Sequence, residues 1–267
     1  MLIAEKLEVW LGRHRILSGV DLRARPGELV VVIGPNGSGK TTLMRALSGD
    51  LDYAGSAHLH GREIARARPG DLAAMRGVLP QHSTLSFPFT VREIVRLGLR
   101  EGATDAGSSI VPAALDRVDL SGFEGRMYQE LSGGEQQRVQ LARVLCQVWS
   151  PVVDDMARYL FLDEPVSSLD IRHQIQIMEV ARDFAQRGGG VLAILHDLNL
   201  TAMYADHVVL LRNGAVHAEG KPEAVLTDGN LRAVYDCPLS VNRPPAPGQV
   251  FVLPHGARGD AGADAAR

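Results

Sequence analysis

Three observations predict an α/β fold built around a phosphate-binding loop. The apolar run Leu29–Ile33 reads as a parallel strand buried on both faces. It leads directly into Gly34-Pro35-Asn36-Gly37-Ser38-Gly39-Lys40-Thr41-Thr42, which fits G-x-x-x-x-G-K-[ST]. Leu43, Ala46 and Leu47 then recur at helical spacing until Gly49 supplies a stop. Two further apolar runs, Tyr159–Leu162 and Val191–Leu195, end on Asp163-Glu164 and on His196, with a helical pattern between them.

Composition narrows the class. With 267 residues, 45% apolar and 22% charged, the chain can bury one large core or two small ones. A net charge of −3 without any basic block argues against a nucleic-acid partner. No apolar run is long enough to cross a bilayer, and Glu5, Lys6 and Glu8 interrupt any signal-peptide core. Cys146 and Cys237 lie far apart and outside any CxxC, so both are expected to be unpaired buried thiols of a soluble cytoplasmic protein.

In chain order, residues 2–32 read as short strands, with Arg25-Pro26-Gly27-Glu28 as the turn before the loop-bearing strand. Ala57–Gly61 is a further strand and turn, residues 63–76 show no clear period, and Gly77–Gln81 is a brief strand with a polar end. From His82 to about Gln147 the pattern becomes helical: Val91–Leu99, Pro112–Val118 and the amphipathic run through Val139, Ala142, Leu145 and Cys146, with Gly102–Ser109 a loop. Ile171, Ile175, Met178, Ala181 and Phe184 mark one face of a helix that stops at Gly188. Val208–Leu211 and Ala215–Ala218 flank Asn213-Gly214, a strong hairpin signal. The stretch from Pro254 to Arg267 reads as a disordered tail.

The chemistry sits where apolar runs end. Glycines let backbone N–H groups turn inward around a phosphate, and the helix start adds partial positive charge there. Lys40 can then reach the outer phosphates, while Thr41 and Asp163 can hold Mg²⁺. Glu164 is placed to act on an attacking water, and His196 to contact a γ-phosphate. Ser132-Gly133-Gly134-Glu135 fits a capping box, yet two glycines are poor helix formers. They leave N–H groups bare for a second phosphate contact, and capping and anion binding are compatible.

Taken together, these residues resemble the ATP-binding subunit of ABC transporters from Leu2 to about Tyr235. The family's motifs appear in order: Walker A at Gly34–Thr42, Q-loop Gln81, signature Leu131–Glu135, Walker B at Tyr159–Asp163 and catalytic Glu164. A D-loop follows at Ser167-Ser168-Leu169-Asp170, where the family more often has Ala at the second position, and then the switch His196. The resemblance implies a P-loop NTPase (RecA-like) core with an N-terminal antiparallel β subdomain and an inserted α-helical subdomain. One ABC-type domain would span 2–251, its core at about 2–81 and 148–251 and its helical insert at about 82–147. It implies ATP and Mg²⁺ as ligands, with Gln81 beside Thr41 and Asp163 at the metal. It also implies a head-to-tail homodimer in which Ser132, Gly133, Gly134 and Asp170 of one subunit meet ATP held by the other. Gln81 and the insert would bear on membrane-embedded permease subunits at the cytoplasmic face of the bacterial inner membrane. The family stacks adenine on an aromatic residue near the N-terminus; here that place falls on Leu11, and a one-residue slip would bring Trp10 to the base.

Leu79–Ser83, Phe87–Val91 and the lengthened stretch Val148–Met156 are similar to the haem-importer branch, which implies a periplasmic haem-binding protein as an indirect partner. His196–Leu200 and Val225-Leu226-Thr227 with Val234-Tyr235 are shared with ferric-siderophore and cobalamin importers. A soluble ABC-type mechanical switch would carry a second Walker A or sustained heptads, and the chain has neither.

Overall fold

The structure, a computed structural model, describes residues 1–81, 87–99 and 107–257. It begins with β1 (Leu2–Leu11) and β2 (His14–Ala24), two long antiparallel strands rather than several short ones. Leu2, Ala4, Leu7 and Val9 all face the core although two residues, Glu5 and Lys6, separate Ala4 from Leu7. A register shift there, with Lys6 at φ 50°, restores the inward face. A Cβ on neighbouring Gly55 would lie 2.3 Å from the Lys6 carbonyl oxygen, so the bulge needs glycine beside it.

β3 (Leu29–Ile33) leads into α1 (Lys40–Ser48), followed by β4 (Ala54–Leu59) and β5 (Arg62–Glu63). The stretch without visible period holds a 3-10 turn at Ile64–Arg66 and α2 (Pro69–Met75), which has Pro at its first position. Only Leu72 and Met75 of α2 are buried, too few to print a period. β6 (Arg76–Leu79) closes this half.

The insert supplies α3 (Val91–Arg96), α4 (Gly107–Arg117) and α5 (Gly133–Gln147). Gly107–Ser109 therefore open a helix instead of belonging to a loop; residues 82–86 and 100–106 lie outside the described residues. The lengthened stretch folds into a hairpin of β7 (Val152–Val153) and β8 (Met156–Ala157), turned by Asp154 and Asp155 at φ 48° and 58°. After β9 (Tyr159–Asp163) come α6 (Ile171–Gln186), β10 (Gly190–Ile194), α7 (Leu198–Tyr204), β11 (His207–Arg212) and β12 (Ala215–Gly220). α8 (Pro222–Val225) and α9 (Asp228–Tyr235) follow. Pro254–Ala257, the start of the expected tail, form a 3-10 turn, and residues 258–267 lie outside the described residues.

A four-stranded sheet, β2-β1-β4-β5, packs on a six-stranded one, β12-β11-β3-β10-β9-β6, whose strands β11, β3, β10, β9 and β6 run parallel. β3, β9 and β10 are buried at every position because both sheet faces are covered. Their alternation divides them between two cores. Leu29, Val31, Leu160, Leu162, Val191 and Ala193 face the insert helices and α6, while Val30, Val32, Phe161, Leu192 and Ile194 face α1 and the smaller sheet. Two expectations fail at the surface: Ile171, at the first position of α6, is 61% exposed, and Cys237 is an exposed free thiol while Cys146 is buried. Among the described residues, no helix is long and apolar enough to cross a membrane.

Candidate nucleotide site

The parallel strands β3, β9 and β10 deliver Gly34, Asp163-Glu164 and His196 to one edge of the sheet, the carboxyl ends where α/β folds bind ligands. α1 opens on Gly39 at φ 101° with no side-chain cap, so its first N–H groups are left to an anion. Gly37, at φ 77°, has open space where a Cβ would stand. Ser38 Oγ, in the same loop, is buried without a partner, an orphan polar atom. Lys40, 6% exposed, donates from Nζ to the Gly34 and Pro35 carbonyls at 2.9 and 3.0 Å. Burial lowers the pKa of its ammonium, and Glu164 and Asp163 oppose that shift.

Thr41 Oγ1 donates to Asp163 Oδ1 at 3.4 Å, placing two oxygen ligands side by side, a donor set that suits Mg²⁺. Asp163 is 3% exposed, and burial first and the Glu164 charge second push its pKa up to about 6. The next residue turns away: Glu164 sits at φ 52°, so adjacent carboxylates leave β9 in different directions. His196 Nε2 donates to Glu164 Oε1 at 2.6 Å; a carboxylate only accepts, so that nitrogen carries the hydrogen.

A cleft of about 620 Å³ joins Leu11, Ile16, Asn36, Gly37, Gly39, Lys40, Thr41, Thr42, Gln81, Glu164 and His196. Leu11, the position reached by counting, lines the cleft, and Trp10, which a one-residue slip would bring to the base, does not. The β1–β2 pairing has a register shift between Val9 and Trp10, just ahead of Leu11. Ile16, the second aliphatic wall, was not singled out from the sequence. A larger cavity of about 830 Å³ runs along β1, β2 and β4 without any phosphate-loop residue.

Ser132, Gly133, Gly134 and Asp170 lie outside this cleft. Ser132 caps α5 with the full capping box: its N–H and Oγ–H donate to Glu135 Oε2 at 2.8 and 2.7 Å, and Oγ accepts from Glu135 N–H. Gly133 has open space around it, whereas a Cβ on Gly134 would stand 3.3 Å from the Ser168 carbonyl oxygen. Gly134 thus admits the close approach of the 167–170 loop. Asp170 caps α6 by accepting from His173 N–H, and that bond with the His173 ring bond lowers its carboxyl pKa. Sequence reasoning passed over Gln137, which donates from Nε2 to the Glu164 carbonyl at 3.0 Å and so ties α5 to the end of β9.

Comparison with known proteins agrees with this geometry. Residues 17–167 match the ABC transporter family. The hemin import ATP-binding protein HmuV of Mesorhizobium japonicum is 58% identical over 258 residues, covering 95% of this chain and 98% of that one. The protein of the same name from a Jannaschia species is 55% identical, covering 100% of this chain and 99% of that one. Among solved structures, an ATP-binding cassette of an ABC transporter superposes with a TM-score of 0.75 at 24% identity, over 88% of this chain and 98% of that one. A bacterial Atm1-family ABC exporter with ATP bound gives 0.73 at 28% identity, over 84% of this chain and 39% of that one. The chain belongs to the ABC transporter family, as one of its ATP-binding subunits.

Proposed function

We propose that this protein is the ATP-hydrolysing subunit of a bacterial haem importer. It works as a homodimer on permease subunits at the cytoplasmic face of the inner membrane, with haem delivered by a periplasmic binding protein. The observation that carries the ATPase reading is the convergence of Lys40, Thr41 and the Glu164–His196 pair in one cleft, with buried Asp163 hydrogen-bonded to Thr41 just behind it. Haem as cargo rests on the names of relatives at 53–58% identity.

Each residue then has a task. The loop N–H groups, Ser38 and Lys40 hold the phosphates, with the ammonium exchanging the Gly34 and Pro35 carbonyls for phosphate oxygens. Thr41, Asp163 and Gln81 would hold Mg²⁺, which would supply charge neutralisation when bound. Adenine rests on the aliphatic wall of Leu11 and Ile16. His196 occupies Glu164 Oε1, leaving Oε2 to accept the proton of the attacking water. His196 and Gln81 also meet the γ-phosphate, while Ser132, Gly133, Gly134 and Asp170 reach the site of the other subunit.

Glu164→Gln keeps the shape and removes the base. Turnover is expected to fall ~10²–10⁴-fold while MgATP binding persists; wild-type turnover with binding intact overturns the assignment. Vesicles holding the reconstituted transporter, offered haem, ferric siderophore or cobalamin in turn, test the cargo. Uptake of one of the others in place of haem rejects that part alone.

A further inference from the structure

His173 stands at the seam between the helical insert and the core, and no step above uses it. Its side chain is 18% exposed, and a carboxylate faces each ring nitrogen: Nδ1 lies 2.9 Å from Asp170 Oδ1, and Nε2 lies 3.4 Å from Asp119 Oδ2. Asp170 ends the D-loop; Asp119, at φ 56°, follows the last turn of α4. Carboxylates only accept, so each nitrogen is bonded only while it carries hydrogen. A neutral ring satisfies one side and turns a lone pair toward the other carboxylate. The imidazolium satisfies both.

The surroundings explain why the seam closes here. The last carbonyls of α4 have no partner within the helix and are held from outside. Arg138 Nη1, on α5, donates to the Val118 and Asp119 carbonyls at 2.8 Å each, and Gln176 Nε2, on α6, donates to the Arg117 carbonyl at 3.2 Å. Arg172 Nη2 reaches Asp119 Oδ2 at 3.0 Å, and Arg117 lies 3.8 Å from Asp183. The anions around the ring are thus Asp119 and Asp170, and the nearby cations are Arg138, Arg172 and Arg117.

We propose that His173 is a positioning residue that locks the D-loop, through Asp170, to the end of α4, through Asp119. D-loop and insert then move as one body, and Ser132 and Asp170 arrive together at the site they serve. The lock is complete when both ring nitrogens carry hydrogen. The inference rests on the reading in which these two residues act on the ATP of the other subunit.

The full chain is compared as wild type, His173→Gln, Asp119→Asn and the double variant at about pH 6 and about pH 8.5. Turnover, MgATP affinity and thermal melting are measured for each. At the lower pH each single variant should turn over about two- to five-fold more slowly than wild type, the scale of a partly exposed ion pair. Both deficits should shrink at the higher pH, affinity should not change, and the double variant should be no worse than either single one. A turnover ratio that does not change with pH, or single effects that simply add, overturns the lock. Asn tolerates the left-handed backbone at position 119, so Asp119→Asn carries the test if His173→Gln does not fold. Non-additive melting of the two variants reports the bridge within one subunit. It therefore survives a failure of the two-subunit reading, which mixing of differently disabled subunits tests separately.

Discussion

Burying Asp163 beside Glu164 costs free energy until a cation shares the cleft, and that cost has a pH signature. The Asp163 carboxyl has its pKa raised from 3.8 to about 6, with burial the larger cause and Glu164 the smaller. The metal-free folded chain therefore holds a proton that the unfolded chain has released. The Asp163 contribution to stability is least unfavourable below about pH 4, grows more unfavourable as pH rises toward about 6, and stays level above; two pK units correspond to ~3 kcal/mol at most. Asp163→Asn removes the charge and the step. In urea titrations without metal, the variant should gain on wild type between acidic and neutral pH, whereas MgATP should stabilise wild type alone. A constant difference across that range would place the carboxylate's cost elsewhere. Asp163, Glu164 and His196 were legible because each ends an apolar run. Ile16 as a second wall of the cleft was not, because an aliphatic residue on a strand carries no mark of a ligand.

At the scale of elements, the β9–β10 pairing begins at one small residue. Gly190 pairs with Tyr159, and a Cβ at Gly190 would stand 2.1 Å from the Tyr159 ring. The ring has little freedom to move, since its hydroxyl donates to the Ala24 carbonyl at 3.0 Å and so ties the sheets together. Gly190→Ala should cost ~1–3 kcal/mol by overpacking, read as a lower urea midpoint. Because the substitution lies at the start of β10 and the cleft at its end, MgATP affinity at low temperature should hold. Buried strands and the long helices were readable from their patterns. α2 was not, since two inward residues over two turns make no stripe, and neither were the strand lengths of β1 and β2, whose bulges break the alternation.

Within the whole molecule, the signature residues do not reach the chain's own phosphate loop cleft. Lys40→Ala and Ser132→Arg should each be inactive alone. Random mixing makes half of the dimers mixed, each with one whole site, so at most about a quarter of wild-type sites return. No recovery of turnover or of nucleotide trapping, with subunit exchange confirmed, ends the two-subunit reading. Phe87 and Phe89 lie in the insert that the resemblance sets against the permease, and the structure divides them: Phe87 is 68% exposed, whereas Phe89 packs against the core. Phe87→Ser should uncouple transport from hydrolysis while the melting temperature of the subunit stays put; a large drop in melting would mean that Phe87 belongs to the fold. The order of motifs made the nucleotide site legible. The seam around His173 was hidden, because its partners Asp119 and Asp170 are far apart in sequence.

The β7–β8 hairpin offers a place to watch the machine at work. It adjoins the starts of β9 and β10, so the length of a five-residue strand, roughly 15 Å, separates it from the cleft. Its turn residues Asp154 and Asp155 are exposed. Of the two native thiols, Cys146 is buried with its pKa pushed up to about 12, leaving Cys237 as the one that a maleimide would find. A chain carrying Cys237→Ser and Asp154→Cys would accept a single fluorophore at that turn. Paired labels on two subunits would then record opening and closing of the assembly in real time, with the dye well clear of the chemistry.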